Sequence, residues 1–205
     1  MWRKWVGEKL IMNKIEKFKE ELGLIKNEKI RKFAESAIEI MPDYFFVIPA
    51  SSTGKYHPAY TTGKEGLLKH TRAAVRIAYE LFRLDWWKFT DDEMDAILVS
   101  IMLHDGWKNG LPENNLKFTQ TDHPLVASKM IDEKLGDNTF IDYPIVSFIC
   151  SNIETHTGQW IHDSRTKRKV LEKPETKFQK FVHLADYLAS RKCLIMDFNV
   201  KLSEK

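Results

Sequence analysis

TDDEMDAILVSIMLHDGWK, residues Thr90 to Lys108, decides the class of the fold. Thr90 with Glu93 three residues later has the form of a capping box, in which two side chains satisfy backbone N–H groups that the first turn of a helix leaves unpaired. Met94, Ile97, Leu98, Ile101 and Met102 then recur at the spacing of one helix face and run directly into His104-Asp105. Gly106 supplies the stop. The stretch is predicted to be a buried helix that delivers an imidazole and a carboxylate at its C-terminal end.

The same period recurs on both sides. Upstream, Leu67, Leu68, Thr71, Ala74, Val75, Ala78, Leu81 and Phe82 define a helix over 64–84, with Lys69, Arg72, Arg76 and Arg83 on its outer side. His70 falls on the inner side, in line with Ala74 and Leu81. Ile11, Ile15, Phe18 and Leu22 before Gly23, and Ile30, Phe33, Ala37 and Met41 before Pro42, predict two further amphipathic helices. Downstream, His123-Pro124 opens a helix to Leu135 that Gly136 ends, and Pro144 opens another with Ile145, Ile149, Ile153 and His156 on one face. A last helix over 175–200 buries Phe178, Phe181, Val182, Ala185 and Ala189, with Asp186 among them. Residues 44–62, with Pro49, Gly54 and Pro58, read as an ordered loop, 106–121 as a second loop, and 157–173 as a basic, polar segment. No period-two strand pattern, internal repeat or linker interrupts the series. The expectation is an all-α single-domain bundle: residues 1–43 form an N-terminal helical extension packed on a core of 44–205.

Composition agrees with one folded domain. The chain has 205 residues, 43% of them hydrophobic and 30% charged, with 9 Gly and 7 Pro, which excludes disordered and low-complexity classes. A net charge of +3 is too small to imply nucleic-acid or membrane binding by field alone. Cys150 and Cys193 lie far apart in apolar runs and read as reduced core residues. The N-terminal MWRKWVGEKLIMNK lacks the apolar run of a signal peptide, and no stretch approaches the roughly 18 apolar residues of a membrane span. A cytoplasmic location is expected. Met12 is an alternative start, which leaves open whether residues 1–11 are native.

The chemistry lies in a conjunction. Four helices offer a His or Asp from an apolar face or a helix end, namely His70, His104-Asp105, His156 and Asp186, and His123 joins them from the start of a fifth. Singly, each is an ordinary core or capping residue. Together they place two carboxylates near several imidazoles, and a buried carboxylate is costly without a compensating cation or hydrogen bonds. Nitrogen and oxygen donors of this mix suit one or two divalent ions of Mn, Fe, Co, Ni or Zn, with Mg also admissible, rather than Ca.

At these residues the sequence resembles the HD-domain metal-dependent phosphohydrolases, whose pattern is H…HD…D. His70 in GLLKHT, His104-Asp105 in SIMLHDGWK and Asp186 in FVHLADYLASR match in order, and His123 in TDHPLVAS and His156 in ETHTGQW match the two extra histidines of dinuclear members. The resemblance spans Tyr56 to about Arg191. It implies an HD-type helical bundle and leaves the two N-terminal helices read from periodicity as additions to it. It also implies one metal on His70, His104, Asp105 and Asp186 and a second on His123 and His156, with Asp105 bridging. In such a site a shared water loses a proton and attacks phosphorus while the cations neutralise the phosphoryl oxygens. Asp105 and Lys108 are the catalytic candidates, since Lys108 holds the lysine position of the HDxxK variant. Lys55, His57, Lys108 and Arg191 are candidate substrate contacts, the first two in the loop SSTGKYHPAY, where Gly54 lets backbone N–H groups approach an anion. That loop lacks the spacing of a Walker A motif. His162 is expected in solvent and His183 behind the ligands, while Trp86, Trp87 and Trp107 read as packing residues rather than base-stacking ones.

The resemblance implies hydrolysis of a phosphate ester or anhydride in a nucleotide-like substrate: a mononucleotide, a cyclic or linear dinucleotide, or the 3′ end of single-stranded nucleic acid. HPAYTTGKEGLLKHT is similar to the HD region of bacterial 3′→5′ exoribonucleases, but no accompanying OB-fold module is present, and TGQW stands where the cyclic-di-GMP phosphodiesterases carry GYP. Mixed-valent diiron oxygenases of the myo-inositol or phosphonate type share the pattern; a non-catalytic nucleotide sensor is a third class, expected to have lost ligands, whereas all six are present here. The expected partner is a phosphorylated small molecule or oligonucleotide, not duplex nucleic acid or a membrane, and the helices from Glu8 to Met41 either cap the core or offer a homodimer face.

Overall fold

Asparagine and threonine side chains start four of the helices, and apolar stripes decide where each one lies. The computed structural model describes residues 13–51, 54–114 and 116–202. The element order is α1 (Lys14–Lys17), α2 (Lys19–Leu22), α3 (Glu28–Ile40), α4 (Gly66–Leu81), α5 (Asp91–Leu103), α6 (His123–Leu135), α7 (Tyr143–Glu154) and α8 (Lys177–Ala189). Short 3₁₀ turns occur at Asp43–Phe46, Ala59–Thr61 and Pro112–Asn114. Among the described residues there is no strand, only one isolated antiparallel bridge between His162 and Lys169. The class is all-α. No described helix is long and apolar enough to cross a membrane.

The central element is α5, because every residue from Asp95 to Leu103 is buried. A helix apolar on nearly all sides is covered on all sides, and α3, α4, α7 and α8 pack around it. Its capping box forms as the sequence predicts: Glu93 N donates to Thr90 Oγ1 at 3.2 Å and Thr90 N to Glu93 Oε2 at 2.7 Å. Asp95 is the polar exception within it. Its carboxylate accepts from the backbone N–H groups of Lys26 and Asn27 at 3.2 and 2.7 Å, which docks the start of α3 onto α5. Burial pushes its pKa up.

Four sequence expectations are corrected, each by packing. The helix expected from Ile11 to Leu22 is two short turns, α1 and α2, broken at Phe18, whose φ of −113° lets the ring meet Phe45 and Phe46 at 6.1 and 6.2 Å. Ile11 and the possible extension 1–11 lie outside the described residues. Arg76, expected on the outer side of α4, is buried. Glu20 and Glu21 of α2 pair with Arg76 and with Arg72, and both guanidinium groups lie over the Phe198 ring at 5.2 and 5.3 Å. Finally, α8 ends at Ala189 rather than near 200, since the chain turns back to bring Phe198 against Tyr60 and these arginines. That turn leaves Cys193 exposed, whereas Cys150 is buried as expected.

The predicted loop 44–62 is pinned on the start of α4. Leu67 N donates to Ile48 O at 3.0 Å and Ala50 N to Thr61 O at 2.9 Å. Gly66 makes the close approach possible: a Cβ there would lie 2.0 Å from Thr61 O. The loop is thereby held over the face of α4 that carries His70. Residues of α2 and α3 (Leu22, Phe33, Ile38) belong to the same continuous core as Ile97 and Ile101 of α5.

Candidate metal centre

Five helices bring the predicted residues to one place. His70 stands on α4, His104 and Asp105 at the C-terminal end of α5, His123 at the first position of α6, His156 just after α7, and Asp186 on α8. The four imidazoles and Asp105 are at most 5% exposed, and the Asp186 side chain keeps 21% of its surface open.

Three of the histidines are oriented by one device. His104 Nδ1 lies 2.6 Å from Ile101 O, His123 Nδ1 2.6 Å from Gln120 O, and His156 Nδ1 2.7 Å from Ile153 O. A carbonyl only accepts, so each Nδ1 carries the proton and each Nε2 turns a lone pair inward. His70 directs Nε2 at Asp186 Oδ1, 2.9 Å away.

Asp105 lies between the two halves of the cluster. Its Oδ2 is 3.5 Å from His104 Nε2 and 3.9 Å from His70 Nε2, while its Oδ1 is 2.9 Å from His123 Nε2 and 3.7 Å from His156 Nε2. Asp186 Oδ1 lies 3.6 Å from His104 Nε2.

These contacts fit a cation. His123 Nε2 and His156 Nε2 face each other at 3.3 Å, both as lone-pair bearers, with a carboxylate oxygen beside them. Buried lone pairs and an anionic oxygen in mutual contact are compensated by a positive ion. His104 Nε2 is buried with no hydrogen-bond partner. The ligand atoms of His70, His104 and Asp186, and those of His104, Asp105 and His156, form two groups, each within 4.8 Å. The buried His and Asp clusters can therefore hold a metal ion.

The charges follow the same geometry. Burial opposes ionisation of Asp105, yet Lys108, with Nζ 2.5 Å from Oδ2, and His104 hold the carboxyl well below its ordinary range. Burial likewise opposes Asp186, and His104 and His70 hold it low. Burial disfavours the cation on His104, but Asp105 and Asp186 outweigh it and raise the pKa. On His156 burial prevails and the pKa falls to about 4.

The centre opens into a cleft of about 430 Å³. Of the expected substrate contacts, His57, Lys108 and Arg191 line it. His57 packs on His70 with ring centroids 5.5 Å apart, and burial, with His70 and Lys108 adding to it, lowers its pKa to about 4. Lys55 is not brought in: it is exposed, with Nζ 5.1 Å from the Tyr56 ring centroid, and Tyr56 lines the cleft instead. The Gly54 N–H donates to Ser51 Oγ at 3.2 Å, and Ser52 and Thr53 of the SSTGK run lie outside the described residues.

Sequence reading missed three aromatic residues of the cleft, Tyr56, Trp160 and Tyr187. The only available signals were a lone aromatic in the basic 157–173 segment and the one-turn spacing of Tyr187 from Arg191. Trp107 is buried in the core and Trp87 packs on Phe89 and Phe181, as expected for packing residues, and Trp86 is exposed. His162 is exposed, and His183 donates through Nδ1 to His156 O at 2.8 Å, behind the ligand. Gly158 permits that contact. Its φ is +66°, and a Cβ there would lie 2.1 Å from the His183 ring.

No protein-family model matches the chain, and no curated protein or solved structure shows significant similarity to it.

Proposed function

We propose that this chain is a metal-dependent phosphohydrolase of HD-domain type that cleaves a phosphate ester or anhydride in a nucleotide-like substrate. The observation that carries the proposal is Asp105, which turns one oxygen to His70 and His104 and the other to His123 and His156 at the floor of an open cleft. His70, His104, Asp105 and Asp186 would hold one divalent ion, and His123 and His156, sharing Asp105, a second. When bound, such ions supply Lewis acidity toward phosphoryl oxygens and make a water more acidic.

The protein's own groups do the rest. Backbone carbonyls fix three imidazoles before substrate arrives, so little reorganisation is needed. Lys108 presents an ammonium at Asp105, within reach of a phosphate oxygen beside that carboxylate. Arg191 adds a guanidinium on the cleft wall, matched to phosphate geometry. His57, neutral above its lowered pKa, can donate or accept a hydrogen bond there. The Ser190 hydroxyl donates to Tyr187 O at 2.7 Å and accepts from Arg191, so it is engaged rather than free to attack. Water is the nucleophile.

The test is metal analysis of purified protein with an anoxic screen of nucleotides, cyclic dinucleotides and single-stranded oligonucleotides against Mn, Co, Ni and Mg. Phosphate release is expected, and Asp105→Ala should lower it about a hundredfold or more, since loss of even an outer partner of a ligand costs about 10–100-fold. Near two ions per chain, falling toward one in His123→Ala, is expected. Full activity in Asp105→Ala, or oxygen consumption in place of phosphate release, would overturn the proposal.

A further inference from the structure

Four flat groups stand in a row along one wall of the cleft. Tyr187 lies nearly parallel to Trp160, with centroids 6.1 Å apart and planes at 14°. The Arg191 guanidinium covers the Tyr187 ring at 4.2 Å and the Tyr56 ring at 5.8 Å. Arg191 is fixed in this position by Ser190 Oγ at 2.7 Å and Tyr187 O at 3.2 Å, and it meets no carboxylate among the described residues.

Both ends of the row remain open. Trp160 is 52% exposed and Tyr56 55% exposed, although both line a concave site. The Trp160 backbone is nonetheless held. Its N–H donates to Thr157 O at 3.3 Å, Gly158 is pressed on His183, and Val170 N donates to Ile161 O at 2.8 Å. An indole carried on a held backbone, with an open face at a polar site, is a surface for another flat ring.

We propose that this wall selects the substrate by its base: Trp160 is the stacking surface for a nucleobase, backed by Tyr187 and Arg191, while the phosphate reaches Lys108 and the His/Asp centre. The proposal rests on reading that centre as a phosphate site. The cleft volume lies within the roughly 300–1,000 Å³ of small-molecule sites and suits a nucleotide-sized ligand. A sugar phosphate or polyol would instead need hydrogen-bonding groups where the wall presents ring faces.

The test uses the full chain and three probes, adenosine 5′-monophosphate, ribose 5-phosphate and adenosine, titrated by calorimetry. Wild type should bind the nucleotide about tenfold or more tightly over the sugar phosphate, the scale of one base–aromatic stack. Trp160→Ala should abolish that advantage and adenosine binding while leaving ribose 5-phosphate affinity unchanged, and Trp160→Phe should keep most of both. Equal affinities for nucleotide and sugar phosphate in wild type, or an undiminished advantage in Trp160→Ala, would overturn the proposal. A base advantage in these titrations with no phosphate release from any substrate of the nucleotide and oligonucleotide screen would sink only the phosphohydrolase reading. Phosphate release with no base advantage would sink only the stacking wall.

Discussion

Gly158 illustrates how one residue fixes the contact behind a candidate ligand of the centre. With φ at +66° and the His183 ring where a Cβ would stand, no L side chain fits without moving the imidazole that holds His156 O. Gly158→Ala should cost about 1–3 kcal/mol of backbone strain. A drop of about 2–4 °C in Tm per kcal/mol then follows for a chain of this size, read by thermal unfolding. An unchanged Tm would show that the loop relaxes freely. At this scale the six His and Asp residues were legible only as a conjunction and through the H…HD…D resemblance, since each alone reads as a core or capping residue. The aromatic wall was not: Tyr56, Trp160 and Tyr187 come from separate segments, and only the fold stacks Arg191 between two of them. Arg76 misled for a related reason, since periodicity assigns an arginine to the outside unless the carboxylates that bury it are known to be near.

Among elements, boundaries carried by local chemistry were readable and those carried by packing were not. The Thr90 capping box and the His123-Pro124 start lie where the sequence puts them, because the signals are the side chains that cap or open the helix. The break at Phe18 and the end of α8 depend on distant rings and were invisible in the sequence. The turn after Ile161 is again locally determined. Asp163 Oδ1 accepts from Thr166 N at 2.7 Å and Arg165 N at 3.1 Å, and Oδ2 accepts from Thr121 Oγ1 at 3.2 Å, tying the segment after Trp160 to the approach to His123. The bonds from Thr166, with those from Thr121 and Arg165, lower the Asp163 pKa to about 2. A depressed carboxyl pKa stabilises above the unfolded value and loses that contribution as pH falls through the folded one. The turn should therefore hold above about pH 4 and loosen toward pH 2. The protection of the Arg165 and Thr166 amides, measured relative to their intrinsic exchange rate at each pH, should fall over that interval, and an Asp163 carboxyl titrating near 4 by NMR would contradict the assignment.

For the whole molecule, the centre joins helices that are far apart in sequence, so its charge state bears on global stability. Asp105 and Asp186 come from α5 and α8, the imidazoles from α4 through α7, and the continuous core closes behind them. Without a cation, Asp105 must be compensated by Lys108 and by imidazoles whose Nε2 atoms crowd one another. An ion that binds this arrangement and not the unfolded chain stabilises it by about 2.7 kcal/mol at a hundredfold excess over Kd. At about 2–4 °C per kcal/mol, Mn or Co should raise the Tm by roughly 5–11 °C, and EDTA should reverse the rise. Asp105→Asn separates this from non-specific binding. It takes away the carboxylate that Lys108 and His104 hold ionised, so the metal-free variant should melt lower than metal-free wild type, and the deciding readout is its response to Mn or Co, which should largely vanish. A shift of equal size in wild type and Asp105→Asn would place the ion elsewhere and remove the physical basis for reading this cleft as a metal centre.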